Sequence, residues 1–293
     1  MKLFSTFIFI TLSSICIYAQ EINKEISENG KYNLLGKIDK QGLENGNYSW
    51  FTKNYNSYEP DEVLTQQLSK DLNNYELKLF MGTWCGDSKR EVPKIYKLLE
   101  SAKFSKDQLT TIAVGRRGNL YKKSPQHEEA GLNIHRVPTL IIYKNGKEIN
   151  RIVEHPVESF EKDISNIINK NNYTSNYFIV TEIDNILKKK GIKGLQRKEA
   201  KLVKKFKNNV SSMYALNTYA RILNSNNKVE EAIAVFRLNT QLFPNQPKTY
   251  MSLANTLGAN NYKQEAIIVL QTALEKLPES KELKKTLKVI KTN

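Results

Sequence analysis

Positions thirty-four residues apart repeat in the last part of this 293-residue chain. Ala220, Leu223, Ala232, Phe236, Phe243 and Pro244 return as Ala254, Leu257, Ala266, Leu270, Leu277 and Pro278. A fixed period of this length means one supersecondary unit used twice, each copy burying its apolar side against its neighbour. The region carrying it reads as all-helical and is entered through a polar linker at 169–176. Two copies are fewer than the three that normally stand alone. Helices around 180–187 and 195–206 are therefore expected to stack as an irregular first pair, with a cap at 282–290.

Small, aliphatic and proline positions in this order, at this period, resemble the tetratricopeptide repeat. The resemblance implies helix pairs brought close by Ala220 with Ala232 and by Ala254 with Ala266, while larger residues fill the groove between pairs. Leu216 and Tyr250 take the bulky position at the start of each repeat. Such arrays expose a concave face that binds peptide or protein segments; a scaffold or dimer surface is the competing reading.

At the other end, MKLFSTFIFITLSSICIYA places Lys2 before an apolar run and ends on Ala19, the pattern of a cleaved secretory signal. Serines and threonines interrupt the run, which is shorter than the ~20 residues of a membrane span, so no stable insertion is expected after cleavage. Ile15, not a small residue, precedes Cys16, which argues against lipidation. The expected location is periplasmic or secreted. Of the two cysteines, Cys16 would leave with the signal, so Cys85 would remain alone in an oxidising compartment. An unpaired thiol there is buried and inert, a site for pairing with another molecule, or a reactive group.

The expected organisation is a signal over 1–19, an N-terminal extension over 20–60, an α/β unit over 61–170, a linker and irregular helix pair over 171–212, and the two repeats with their cap over 213–293. Asn45-Gly46, between Leu43 and Tyr48, predicts a hairpin-like turn in the extension. A helix is predicted over 61–72, capped by Asp61, with Val63, Leu64 and Leu68 inward. Buried strands are predicted at 76–81, 109–114 and 139–143, the last pairing with 148–153 through Asn145-Gly146. A helix over 157–168 closes the unit.

Between the first of these strands and the helical period of Val92, Ile95, Tyr96, Leu98 and Leu99 lies Gly82-Thr83-Trp84-Cys85-Gly86-Asp87-Ser88. A cysteine at the first turn of a helix meets unpaired amides and the positive end of the helix dipole, which favour the nucleophilic thiolate. GTWCGDSKREVP resembles the thioredoxin active site: Trp84 before Cys85, Gly86 after it, and Pro93 where the family kinks this helix. Arg136-Val137-Pro138-Thr139, opening an apolar strand, resembles the family's cis-proline loop. The resemblance covers roughly 61–170. It implies a thioredoxin-like mixed sheet with flanking helices, a cis bond at Pro138, and a backbone at Val137 offered to a peptide substrate lying over Trp84, Gly86, Val137, Pro138 and Thr139.

Two positions depart from that family. Ser88 replaces the second cysteine of a dithiol site, and Leu79 stands where many members bury a proton-accepting aspartate. Monothiol chemistry remains. Cys85 would form a mixed disulfide, resolved by another substrate thiol as an isomerase or by a small-molecule thiol as a reductase. Ser88 is placed to donate to the thiolate, while the charge of Asp87 opposes it. The alternative is a non-enzymatic adaptor that keeps the fold as a binding platform. A thiol-peroxidase route is disfavoured, since no arginine and threonine flank Cys85 in the arrangement peroxidases use.

The net charge of +15 includes a run at 188–207 with ten Lys or Arg and one acid, Glu199. Leu195, Leu202, Val203 and Phe206 recur within it at helical spacing, so the cations are expected to line a solvated helix face. No aromatic interleaving or recognition motif supports nucleic-acid binding. His127, His135 and His155 read as solvent-facing, without metal-ligand spacing, and no cofactor is expected. His135, two residues before Val137, is the one placed to approach the cysteine.

Overall fold

In the segment Glu76–Met81, alternation sends Leu77, Leu79 and Met81 to one face and Phe80 to the other. A computed structural model, describing residues 21–28, 30–210 and 212–292, places this strand at the centre of a five-stranded sheet. The expected signal at 1–19, with Cys16, lies outside the described residues.

The chain enters through β1 (Glu25–Glu28) and β2 (Lys31–Leu34), an antiparallel pair, and then β3 (Gly36–Ile38), the first edge strand of the main sheet. Short α1 (Lys40–Leu43), α2 (Ser49–Asn56) and α3 (Glu62–Asp71) precede β4 (Glu76–Met81) and α4 (Gly86–Ser101). After β5 (Leu109–Ala113) come β6 (Thr139–Lys144), β7 (Lys147–Val153) and α5 (Phe160–Ile168). Sheet order is β3-β5-β4-β6-β7, with β4 parallel to β5 and the other pairings antiparallel. One face packs against α2, α3, α4 and α5 through Phe51, Leu68, Ile95 and Ile164. The opposite face, with Phe80, Ile112 and Ile141, packs against Ile134 and Val137 from the long connection after β5.

Three local expectations are corrected. Asn45-Gly46 is not a hairpin turn: the Asn45 side chain accepts from the Asn47 amide, and a 3-10 turn over Gly46–Tyr48 runs into α2. Leu43, Tyr48 and Phe51 are all buried, and helical spacing satisfies them together. The antiparallel pair of this segment lies instead at 25–34, and β3 joins the segment to the α/β sheet. Val63 is 66% exposed, because α3 faces the core through Thr65 and Leu68, and Val63 falls on the far side of the turn. Val157 is 51% exposed and α5 begins at Phe160. The buried Asp163 carboxylate accepts from the amides of Val157 (2.7 Å) and Glu158 (3.1 Å), and Ser159 caps the helix behind them.

The second half is all-helical. α6 (Phe178–Phe206) is kinked at Gly191, whose φ of 60° and ψ of −169° leave the helical region. Two helical hairpins follow: α7 (Tyr214–Ser225) with α8 (Val229–Leu242), and α9 (Pro247–Ala259) with α10 (Lys263–Lys276). α11 (Lys281–Thr292) packs behind them. One apolar cluster runs from Ile179 to Ile290. Nine of the ten cations of the 188–207 run are exposed, while Leu195, Leu202 and Phe206 are buried beneath them.

Ala220, Ala232, Ala254 and Ala266 are fully buried at the helix contacts. Ala254→Leu inserts three carbons where no space exists, and is expected to cost about 1–3 kcal/mol in urea unfolding. A neutral result would mean the alanines do not set the spacing.

Candidate functional site

The turn after β4 is fixed by hydrogen bonds at every step. The Cys85 amide donates to the Gly82 carbonyl (2.9 Å), and the Cys85 carbonyl accepts from the Lys89 amide (3.0 Å), which makes Cys85 the N-cap of α4. No side chain caps this end, so the thiol stands at the amides of the helix's first turn. Trp84 is pinned by its indole N–H to the Val114 carbonyl at 2.8 Å. Thr83 is buried and ties the turn to the extension: its hydroxyl donates to Asn33 Oδ1 (3.3 Å) and accepts from the Leu34 amide (3.1 Å). Asn33 lies in no motif, and its pairing with Thr83 is not indicated by the sequence.

Antiparallel pairing of β4 with β6 sets Phe80 opposite Thr139, so the residues before Thr139 arrive beside the cysteine turn. The Val137–Pro138 peptide bond is cis. The half-buried Cys85 Sγ donates to the Val137 carbonyl at 3.3 Å, across fifty-two residues of chain. The loop is held from behind: Thr139 Oγ1 donates to the Arg136 carbonyl (2.7 Å), the Glu154 amide to the Pro138 carbonyl (2.7 Å), and Arg136 pairs with Glu154 at 3.0 Å. The Tyr177 hydroxyl also donates to Glu154, and the Arg136 guanidinium lies over the Tyr177 ring.

Cys85, Trp84, Gly86, Val137, Pro138 and Thr139 thus come together. Ser88 is fully buried one turn into α4, and its Oγ accepts from the Gly82 amide at 3.2 Å. It braces the turn, and no hydrogen bond from it to Cys85 is present among the described residues. Asp87 is paired with Arg90 at 2.8 Å, which offsets its charge.

His135 is corrected from solvent-facing to buried, at 3% exposure. Its ring packs edge-on against Tyr177 and Tyr219, between the sheet and the helical half, and not against the cysteine. Nδ1 meets the Asn133 carbonyl at 3.2 Å and Nε2 has no hydrogen-bond partner. Burial, aided by the charges of Lys122, Arg151 and Arg136 and opposed by that carbonyl contact, pushes its pKa down to about 3. His127 and His155 are exposed.

The residue the sequence concealed is Lys122, only 7% exposed in the connection between β5 and β6. Its Nζ donates to the His135 carbonyl. Burial is the main reason its pKa is pushed down to about 8; Arg136 acts in the same direction, and Cys85 and Glu154 oppose it. Set beside Lys123 in a polar stretch without periodicity, it gives no sign in the sequence of being interior.

The helical half borders this site. Arg136 reaches the Tyr214 carbonyl at the start of α7 (3.4 Å), and Lys123 reaches the Ser225 carbonyl at its end (3.0 Å). Among the described residues no group of three His, Cys, Asp or Glu side chains is placed to hold a metal, and no helix is long and apolar enough to cross a membrane.

No family model matches the chain, and no curated protein matches it.

Proposed function

We propose that this chain is an exported, thioredoxin-like monothiol protein that acts on protein disulfides through Cys85, with tetratricopeptide-type repeats recruiting its protein partner. The observation that carries the reading is the half-buried Cys85 Sγ at the open N-terminus of a sixteen-residue helix, 3.3 Å from the Val137 carbonyl. A thiol in that position has positive partial charge on one side and a backbone edge suited to an extended peptide on the other. The sheet order and the paired helices with buried alanines support both resemblances.

The Cys85 thiolate attacks one sulfur of a substrate disulfide. A Cys85–substrate S–S bond forms, the substrate S–S bond breaks, and the departing thiolate takes a proton from water. A second substrate thiol then displaces Cys85, with no net redox change; alternatively a small-molecule thiol attacks the Cys85 sulfur and releases the substrate as a thiol, and a second equivalent frees Cys85 as the two small thiols become a disulfide. Ser88 cannot perform this step, so the mixed disulfide persists until an outside thiol arrives.

The test is incubation of the protein with a disulfide-bonded peptide, read by intact mass. Wild type is expected to accumulate a covalent adduct at Cys85. Ser88→Cys, which puts a second thiol one helical turn from the first, is expected to release the peptide and end as an 85–88 disulfide. Absence of the adduct in native protein, together with its formation after unfolding, would favour a binding platform that performs no chemistry.

A further inference from the structure

We propose that Lys122 is the charge partner of the Cys85 thiolate, a buried ammonium brought to the same three-residue backbone segment, 135–137, on which the cysteine sulfur rests. The inference rests on the reading of Cys85 as a nucleophile and adds the residue that tunes it.

The chain takes specific steps to deliver this side chain. The Val114 amide donates to the Met81 carbonyl, carrying the connection past the end of β4 at the cysteine turn. The Gly115 amide then donates to the Lys123 carbonyl and the Lys122 amide to the Gly115 carbonyl, each at 2.9 Å, closing the loop 115–123 on itself. A Cβ on Gly115 would stand 2.6 Å from the Leu120 carbonyl oxygen, so only glycine closes the loop this tightly. Lys122 itself sits at φ 55°, a left-handed conformation unfavourable for a lysine, held because both its neighbours are tied. Nζ ends on the His135 carbonyl and Cys85 Sγ on the Val137 carbonyl, two residues apart.

Burying an ammonium is expensive unless an anion compensates it. The ionisable groups acting on Lys122 are Arg136, Cys85 and Glu154. Arg136 and Glu154 are paired with each other at 3.0 Å, so their opposed fields partly cancel. The neutral His135 contributes its carbonyl, and the Tyr121 ring lies 5.7 Å from Nζ. Cys85, once its thiol ionises, is the anion left to balance the charge. Even pushed down to about 8, Lys122 remains mostly an ammonium at neutral pH. The proton lost from Sγ goes to solvent and Lys122 keeps its own. A residue buried at a cost to the fold, near the only thiol among the described residues, is the pattern of a site held ready for chemistry.

The test compares wild type, Lys122→Met and Lys122→Arg as full chains, measuring iodoacetamide alkylation of Cys85 against pH alongside thermal unfolding. An opposite charge near a thiol favours its ionised form, so Lys122→Met is expected to slow alkylation at pH 7 several-fold and to move the rate profile to higher pH. Thermal unfolding of the same variant separates a charge effect from a loss of fold, since Met leaves the His135 carbonyl without its donor. Lys122→Arg is expected to retain most of the rate. An unreactive native Cys85 in wild type would remove the underlying reading. A reactive wild type with an unchanged rate profile in Lys122→Met would overturn this inference alone, as would a Lys122→Met protein that is both slower and less stable with Lys122→Arg equally slow.

Discussion

Between pH 6.5 and pH 3 the protein is expected to lose about 4–5 kcal/mol of stability through one side chain, His135. Its folded pKa of about 3 lies below the ordinary 6.5, so across that interval the unfolded chain binds a proton that the folded chain refuses. The contribution is intact above pH 6.5 and is lost as the pH falls towards 3. Burial is the main cause, and Lys122, Arg151 and Arg136 add repulsion to any charge on the ring. Tyr177 and Tyr219 enclose it, the Tyr219 hydroxyl is committed to Asp184 at 2.9 Å, and among the described residues Nε2 has no hydrogen-bond partner that would stabilise a proton there. His135→Phe keeps a flat ring between the tyrosines and removes the titration. Wild-type and variant stabilities measured by urea unfolding should diverge progressively below pH 6.5, the variant losing less. Parallel curves would mean that His135 is protonated in the folded state at little cost.

The second large effect is expected at Phe206. This residue ends α6, is fully buried, and its ring lies 5.7 Å from Phe178 at the opposite end of the same kinked helix. It therefore closes the two arms of α6 onto each other and seats them on the hairpins, within the cluster that runs from Ile179 to Ile290. Phe206→Ala leaves a ring-sized void in a close-packed interior, and the expected loss is about 3–5 kcal/mol. Two hairpins are fewer than normally stand alone, so the loss should appear as weakened unfolding of the whole helical half, followed by far-ultraviolet circular dichroism in urea. A loss below about 1 kcal/mol would show that the hairpins are stable without the α6 pair.

Much of the α/β unit was legible because its signals are local. The run Glu76–Met81 is a strand by alternation and burial, and the apolar period from Val92 to Leu99 is a helix, so the cysteine turn between them follows. The Asn145-Gly146 turn joined β6 to β7 as its dipeptide indicates. The same dipeptide at 45–46 misled, because Tyr48 and Phe51 needed one buried face and a helix supplied it. The meeting of Cys85 with Val137 was expected only through resemblance to a known active site; physically it depends on the β4–β6 register, which no local pattern encodes.

What stayed hidden is what depends on distant partners. His135 sits in a polar stretch and is buried by Tyr177 and Tyr219 from the helical half. Lys122 lies among polar and charged neighbours that read as a solvated loop, and its burial follows from a loop closed on Gly115 and from the His135 carbonyl. Ser88 lies in the expected turn, and its acceptance from the amide at the end of β4 is a contact that no local pattern indicates.

The central claim is that native structure makes Cys85 a better nucleophile. The direct measurement is the rate of its alkylation by iodoacetamide at neutral pH, in the native protein and in the same protein unfolded in urea, read by mass spectrometry at Cys85. The account predicts that the native thiol reacts several-fold faster than the unfolded one, despite being half-buried, because the amides of α4 and the Lys122 ammonium favour the thiolate. A native thiol that reacts more slowly than the unfolded one, or only after unfolding, would contradict it.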